Sequence, residues 1–166
     1  TDTFPVRRIF CVGRNYAAHA REMGFDPDRE PPFYFNKTPI DLVPSGATVP
    51  YPLGSQNYHY EMELVVALGK PGFRIAESAA LGHVYGYACG LDMTRRDLQN
   101  DMKKQGRPWC IGKGFEHSAP LGPITPAAQA GAIGSADIAL QVNGQDRQRS
   151  TVAKLIWNIA ETIEQL

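Results

Sequence analysis

The sequence predicts an α+β fold made of many short strands and a few short helices. Its 166 residues include 16 glycines and 13 prolines, which favours frequent turns over a bundle of long helices. Short apolar runs rich in β-branched and aromatic side chains lie between these turns, as expected of strands. The pair Asn143-Gly144 joins the segments 138–142 and 145–150 and predicts a β-hairpin, because this dipeptide favours the type I′ turn.

The remaining elements follow in chain order. A strand is predicted at 6–12, and Asn15 is expected to cap a short helix over 16–23. An aromatic strand at 33–35 precedes loops rich in proline and glycine. The later elements are the strand that carries Glu61 and Glu63, a short helix at 75–80, a central strand at 84–93, a helix over 95–105 capped by Thr94, the hairpin, and a last helix over 152–166 capped by Thr151.

The overall composition narrows the possible functions. Lys and Arg number 17, as do Asp and Glu, so the formal net charge is zero, which argues against a nucleic-acid or anionic-membrane surface. The chain has neither an apolar segment of the roughly 20 residues needed to span a bilayer nor the apolar core of a signal peptide. Cys11, Cys89 and Cys110 have no CxxC spacing and predict a reduced, cytoplasmic protein with buried thiols. The length predicts one domain, residues 1–166.

Two carboxylates in one predicted strand indicate a metal site. Glu61 and Glu63 stand two residues apart, so they point to the same face, roughly 6–7 Å apart at the backbone. Two like charges on a half-buried face repel each other and are costly to desolvate. A hard divalent cation such as Mg²⁺, Mn²⁺ or Ca²⁺ would remove that cost. The alternative is a solvated strand at the edge of a sheet.

His19 and Glu22 form a candidate acid–base pair. They are three residues apart on the first predicted helix, hence neighbours on one face. Such a pair can be a histidine base oriented by a carboxylate. The alternative is an exposed pair that adds a few tenths of a kcal/mol to helix stability.

Three further charged residues lie where a cleft could form. Asp92 falls at a junction between a strand and a helix, Lys37 ends the aromatic strand, and Lys113 stands between Gly112 and Gly114. Each also has a simpler interpretation. Asp92 can satisfy local backbone N–H groups, and the two lysines can be solvated or lie in a turn.

Four separated motifs in this order resemble the fumarylacetoacetate hydrolase family. They are residues 13–19 (GRNYAAH), 60–64 (YEMEL), 90–99 (GLDMTRRDLQ) and 109–115 (WCIGKGF). The resemblance covers essentially the whole chain. It implies a mixed-strand β-roll or sandwich with short helices, usually as a homodimer. Family members continue beyond the last helix into further strands with a Thr-Gly-Thr-Pro loop, so C-terminal strands are expected to be missing here.

The resemblance also implies roles for individual residues. Mg²⁺ or Mn²⁺, with Ca²⁺ as a further option, would be held by Glu61, Glu63 and Asp92. The catalytic residues would be His19 and Glu22, carried on a lid, together with Lys113. The substrate would contact Arg14, Arg96, Gln99 and Lys37.

The activity implied is metal-dependent hydrolysis of a C–C bond in a 2,4-diketo acid. Within the family, the segments 11–16 and 26–32 most resemble the members that act on fumarylpyruvate, an intermediate of gentisate breakdown. This resemblance implies fumarate and pyruvate as the products. An acylpyruvate hydrolase, an oxaloacetate decarboxylase or a diketo-acid isomerase could use the same metal site. An inactive fragment or a non-catalytic metal-binding or dimerisation module is the alternative of another class.

Overall fold

The computed structural model of the protein describes residues 3–16 and 30–166. In these residues the chain forms eleven short strands and four α-helices, with 3₁₀ turns between them, which confirms the α+β class. The strands are β1 (Ile9–Gly13), β2 (Phe33–Lys37), β3 (Leu42–Pro44), β4 (Tyr58–His59), β5 (Met62–Leu68), β6 (Val84–Leu91), β7 (Thr94–Arg95), β8 (Ala119–Leu121), β9 (Thr125–Pro126), β10 (Asp137–Val142) and β11 (Gln145–Thr151). The helices are α1 (Glu77–Ala80), α2 (Arg96–Lys104), α3 (Cys110–Lys113) and α4 (Ile159–Gln165).

The chain divides into two compact units, each assembled from three separate segments. The first comprises Thr1–Cys11, Tyr34–Glu63 and Gly90–Pro123; the second comprises Val12–Phe33, Leu64–Cys89 and Ile124–Leu166. No helix in the described ranges is long and apolar enough to cross a membrane. The predicted helix over 16–23 lies almost entirely outside the described residues.

The first unit contains both parallel and antiparallel strand pairs, as the mixed-strand prediction requires. β3 runs parallel to β8, with Leu42 opposite Ala119, and the end of β6 is antiparallel to β8. Beyond β6, the Asp92 N–H donates to the carbonyl oxygen of Glu61 at 2.8 Å, and the Met93 N–H donates to that of Ser118 at 3.0 Å. The backbone at Asp92 is therefore fixed between two other segments.

Close packing of α3 on α2 also belongs to the first unit. A Cβ added to Gly112 would lie 2.8–2.9 Å from backbone and side-chain atoms of Gln99, closer than real Cβ atoms approach. The helix that ends at Lys113 can approach α2 because glycine leaves this space free.

The second unit contains the hairpin that the sequence predicts. β10 and β11 pair in antiparallel register from Asp137 opposite Thr151 to Val142 opposite Gln145. Asn143 and Gly144 have φ values of 52° and 76°, which is the left-handed conformation that a type I′ turn requires. The hairpin prediction is confirmed.

The last helix is broken, so the prediction of one helix over 152–166 is wrong. Thr151 caps only a 3₁₀ turn, Val152–Lys154, and α4 begins after Asn158. Between them, the Asn15 side chain accepts from the Trp157 N–H at 2.8 Å and donates to its carbonyl oxygen at 2.9 Å. These bonds hold Trp157 to another segment of the second unit, and the helix starts again only beyond it.

Candidate functional site

A network of buried charges in the first unit centres on Lys113. This lysine ends α3 and is 2% exposed. Its ammonium group donates to Glu61 Oε2 at 2.7 Å, to Asp92 Oδ2 at 2.7 Å and to Thr94 Oγ1 at 2.8 Å. A lysine has three N–H donors, so all of them are used within the protein.

A second buried lysine forms an ion pair with the other carboxylate oxygen of Asp92. Lys37, at the end of β2, is 3% exposed. Its Nζ lies 2.9 Å from Asp92 Oδ1 and donates to the carbonyl oxygens of Met93, at 3.1 Å, and Lys113. Asp92 is therefore placed between two ammonium groups.

The helix α2 contributes a third cation, Arg96. Its guanidinium group forms a charged hydrogen bond with Glu61 Oε1 and donates to Gln99 Oε1 at 2.6 Å. Arg96 and Gln99 are neighbours because residues three apart share a helix face. Both oxygens of Glu61 thus face cations. Burial alone would raise its pKa, but Lys113 and Arg96 hold the pKa of Glu61 down to about 2.

Glu63 behaves differently from the other two acids. Burial, together with the negative charges of Glu61 and Asp92, raises the pKa of Glu63 to about 8. Its carboxyl group forms neither a hydrogen bond nor an ion pair within the described part of the chain. Glu61 and Asp92 are therefore close enough to raise the pKa of Glu63, which stays protonated near neutral pH.

The carboxylates provide the donor set that a hard divalent cation needs. Across the described residues, no three Asp, Glu, His or Cys side chains converge closely enough to hold a metal ion, so the acids must turn toward a common point to do so. Two observations nevertheless fit an ion. Asp92 Oδ1 is buried and accepts no hydrogen bond in the described structure, although the Lys37 ammonium group lies 2.9 Å away. Glu63 is repelled by both other acids, and carboxylate oxygens suit Mg²⁺ and Mn²⁺.

Aromatic rings pack against the lysines of this network. Lys113 Nζ lies 5.0 Å from the Phe35 ring centroid, and Lys37 Nζ lies 5.6 Å from that of Phe115. Such cation–π contacts favour a desolvated cation. The lysines are thus held in a site with little water, where charges interact more strongly than in bulk solvent.

Cys11 does not act as a nucleophile in this network. Burial, followed by the charge of Asp92, raises the pKa of Cys11 to about 12, so the thiol stays protonated and unreactive. All three cysteines are free. The prediction of buried thiols is wrong for Cys89 and Cys110, which are exposed.

Six of the residues singled out in the sequence form one network: Lys37, Glu61, Asp92, Arg96, Gln99 and Lys113. Glu63 lies beside them. Arg14 belongs to the second unit, where its Cζ atom is 4.9 Å from the Phe33 ring centroid. His19 and Glu22 lie outside the described residues. The roles assigned to all of these side chains stay predictions.

Two residues of the network were missed. Thr94, predicted as a helix cap, lies in β7 instead, and α2 has no side-chain cap. The Thr94 hydroxyl group accepts from Lys113 and donates to the Asp92 carbonyl oxygen at 3.1 Å. Ser118 is fully buried and donates to the Lys113 carbonyl oxygen at 3.2 Å. The motif at 90–99 contains Thr94, but the three-residue spacing between Thr94 and Asp97 is equally typical of a helix cap.

Comparison with known proteins identifies closely similar chains. The family model for the C-terminal domain of fumarylacetoacetate hydrolase matches residues 8–166. Fumarylpyruvate hydrolase from Ralstonia sp is 54% identical over 141 residues, which cover 85% of this chain and 73% of the relative. The mitochondrial oxaloacetate tautomerase of Mus musculus is 40% identical over 153 residues, covering 92% and 69%. The crystal structure of fumarylpyruvate hydrolase from Pseudomonas aeruginosa in complex with Mn²⁺ and pyruvate has a TM-score of 0.93 and 60% identity, covering 98% of this chain and 72% of that one.

Proposed function

This chain belongs to the fumarylacetoacetate hydrolase family, and we propose on that basis that it hydrolyses the C–C bond of fumarylpyruvate to give fumarate and pyruvate. The observation that carries the proposal is the buried network of Glu61, Asp92 and Lys113. It is supported by the 60% sequence identity to a fumarylpyruvate hydrolase solved with Mn²⁺ and pyruvate. The similarity to an oxaloacetate tautomerase is weaker, at 40% identity.

Glu61, Glu63 and Asp92 are the residues that would hold Mg²⁺ or Mn²⁺. When bound, the ion supplies Lewis-acid and template chemistry at the 2-oxo acid end of the substrate. Lys113 and Arg96 keep Glu61 ionised, as its lowered pKa indicates, and Lys37 keeps Asp92 in place. The protein thus maintains Glu61 in the charged form that a metal ligand needs.

Proton transfer is assigned to His19 and Glu22. His19, oriented by Glu22, takes a proton from the water that attacks the carbonyl carbon next to the fumaryl double bond. The bond from this carbon to the adjacent methylene carbon then breaks. Its electron pair goes to the pyruvate half, which takes up a proton, while the other half leaves as fumarate. General-base assistance of this kind contributes roughly 10²–10⁴ in rate.

Lys113 is the residue proposed to stabilise the oxyanion formed at the attacked carbon. A positioned cation in a dry site is well suited to this task. Because its three donors already bind Glu61, Asp92 and Thr94, Lys113 can donate to the oxyanion only by releasing one of these acceptors. Arg96, Gln99, Lys37 and Arg14 are proposed to surround the substrate. We also propose that the protein works as a cytoplasmic homodimer.

Hydrolysis assays with the purified protein test this function. Fumarylpyruvate, acetylpyruvate and oxaloacetate are each supplied with Mn²⁺ or with EDTA, and the products are separated and quantified. Fumarylpyruvate should give fumarate and pyruvate in equal amounts and should be consumed faster than the other two compounds, and this turnover should disappear with EDTA. Turnover of oxaloacetate alone, or activity that survives complete metal removal, would contradict the proposal.

His19→Ala serves as the matched variant in these assays. Loss of the proposed base should lower kcat roughly 10²–10⁴-fold, while the variant still takes up Mn²⁺ in equilibrium dialysis. Activity equal to that of the wild type would show that the measured reaction does not use His19, or that it comes from a contaminant.

A further inference from the structure

Two buried polar atoms without a hydrogen bond lie near the network in the first unit. They are Tyr58 Oη and Arg95 Nε, both unpaired in the described structure. Tyr58 in β4 and Arg95 in β7 are directly opposite in an antiparallel pair, so their side chains share a face. A buried donor without an acceptor is costly, roughly 1–3 kcal/mol, and a functional role is one of the explanations for such an exception in a native protein.

The surroundings of this pair are aromatic. Arg95 Cζ lies 4.2 Å from the Phe115 ring centroid, which is itself 6.2 Å from the Tyr58 ring. The rings of Tyr51 and Tyr58 pack edge to face, with their centroids 5.4 Å apart. Within the described part of the chain, no acidic side chain forms an ion pair with Arg95. The guanidinium group therefore has a ring beneath it and lacks an anionic partner among the residues that the structure describes.

Arg96, the residue that follows Arg95, does have an anionic partner. Arg96 binds Glu61 and Gln99, so its charge is compensated within the protein. Burial raises the pKa of Tyr58, although Arg95 opposes the shift, and the phenol therefore remains a hydrogen-bond donor. Arg95 and Tyr58 together offer a cation and a neutral donor, which is the combination that recognises a carboxylate.

The pair lies within reach of the carboxylate network. The Phe115 ring centroid lies 4.2 Å from Arg95 Cζ and 5.6 Å from Lys37 Nζ, and Lys37 Nζ lies 2.9 Å from Asp92 Oδ1. These distances place Arg95 Cζ no more than about 13 Å from Asp92 Oδ1. With about 1.5 Å per C–C bond, an extended seven-carbon chain spans about 8 Å, and polar contacts add about 3 Å at each end.

We propose that Arg95 and Tyr58 bind the distal carboxylate of the substrate, the one that fumarylpyruvate has and acetylpyruvate lacks. This inference rests on the proposed function and assigns its specificity to these two residues. The guanidinium group binds the carboxylate through charge-assisted hydrogen bonds, and the Tyr58 hydroxyl group donates to it as well. The site thereby selects acylpyruvates whose acyl group ends in a carboxylate.

The experiment compares kcat/KM for fumarylpyruvate and acetylpyruvate in the Mn²⁺-loaded wild type, Arg95→Met, Tyr58→Phe and Arg107→Met. Arg107 is an exposed arginine of the same unit and controls for the loss of one positive charge. Arg95→Met should lower kcat/KM for fumarylpyruvate by about 10- to 100-fold, as expected for a lost hydrogen bond to a charged group. The loss for acetylpyruvate should be at least tenfold smaller. Tyr58→Phe should show the same selectivity with a smaller loss, and Arg107→Met should not change the ratio.

Binding of fumarate, measured by calorimetry, makes the test independent of turnover. Its Kd should rise by about 10- to 100-fold in Arg95→Met and stay unchanged in Arg107→Met. Equal losses on both substrates, or unchanged fumarate binding in folded Arg95→Met and Tyr58→Phe, would overturn the inference. A wild type that binds fumarate through Arg95 yet hydrolyses no diketo acid would support this carboxylate site and refute the proposed function instead.

Discussion

Asp92 depends on the two ammonium groups that flank it, which makes Lys37 a sensitive position. Replacement by Met would leave Asp92 Oδ1 and the carbonyl oxygens of Met93 and Lys113 without their cation. Breaking a buried ion pair from one side costs roughly 3–5 kcal/mol. We therefore expect Lys37→Met to lower the free energy of unfolding by about this amount in urea titrations.

Lys104→Met is the matched control for this prediction. The Lys104 side chain is 78% exposed, and its Nζ lies 4.0 Å from Asp101. Exposed pairs contribute about 0–1 kcal/mol, so this variant should unfold at nearly the wild-type urea concentration. Similar midpoints for the two variants would show that Lys37 does not carry the stabilising role argued here.

At the scale of single residues, the spacing of residues along the chain predicted which side chains are neighbours but not which of them form hydrogen bonds. The spacing of Glu61 and Glu63 predicted two neighbouring carboxylates in one strand. Glu61 precedes β5 and only Glu63 lies in it, but the charge of Glu61 does contribute to the raised pKa of Glu63. The bond from Lys113 to Thr94 was not predicted, because a threonine before a helix satisfies the requirements of a cap equally well. The Thr94 hydroxyl group could bind either a backbone N–H of the following helix or Lys113. It binds Lys113 because the fold brings α3 close to it.

Among the elements, α4 has the most clearly defined beginning. The Asn158 side chain accepts from the Glu161 N–H at 3.0 Å, and the Glu161 carboxylate accepts from the Asn158 N–H at 2.9 Å. Substituting Ala at an N-cap costs about 0.5–2 kcal/mol. Asn158→Ala should therefore lower the free energy of unfolding within this range, as measured by urea denaturation. Gln165→Ala, an exposed change in the same helix, should stay within about 0.5 kcal/mol of the wild type; equal effects of the two changes would argue against the cap.

The break before α4 explains why the apolar period was misleading. The apolar residues between Val152 and Ile163 follow a helical spacing, yet Leu155 is extended, and Trp157 is bound by Asn15. The Asn158 and Glu161 signature of a second start was present in the sequence. The competing bonds to Asn15 were not predictable, because 142 residues separate the partners.

For the whole molecule, the net charge of zero does not reveal that opposite charges are clustered in one buried network. In the first unit, Lys37, Arg96 and Lys113 face Glu61 and Asp92, with Glu63 close to the same acids. Composition alone excluded functions that need a charged surface, but it could not predict this network. Three of the four ordered motifs contain most of its members, whereas Lys37 lies in none of them. The burial that raises the pKa of Glu63 became visible only in the folded chain.

The raised pKa of Glu63 predicts how stability should depend on pH and metal. Its ordinary value is 4.5 and its folded value is about 8, so between these pH values the folded state keeps a proton that the unfolded state has lost. Stability of the metal-free protein should therefore decrease as the pH rises through this window. Glu61, with a pKa of about 2, keeps its full contribution there, since that contribution is lost only below its ordinary value.

Mn²⁺ should reverse this trend, because the ion and the Glu63 proton compete for the same carboxylate. Melting temperatures measured from pH 5.5 to 8.5, with EDTA or with Mn²⁺, should show a stabilisation by Mn²⁺ that increases with pH. In Glu63→Gln, which has neither the proton nor the charge, the pH dependence of the EDTA sample should flatten and the effect of Mn²⁺ should shrink. A Mn²⁺ shift of equal size at every pH, or one retained in full by Glu63→Gln, would show that Glu63 does not bind the ion.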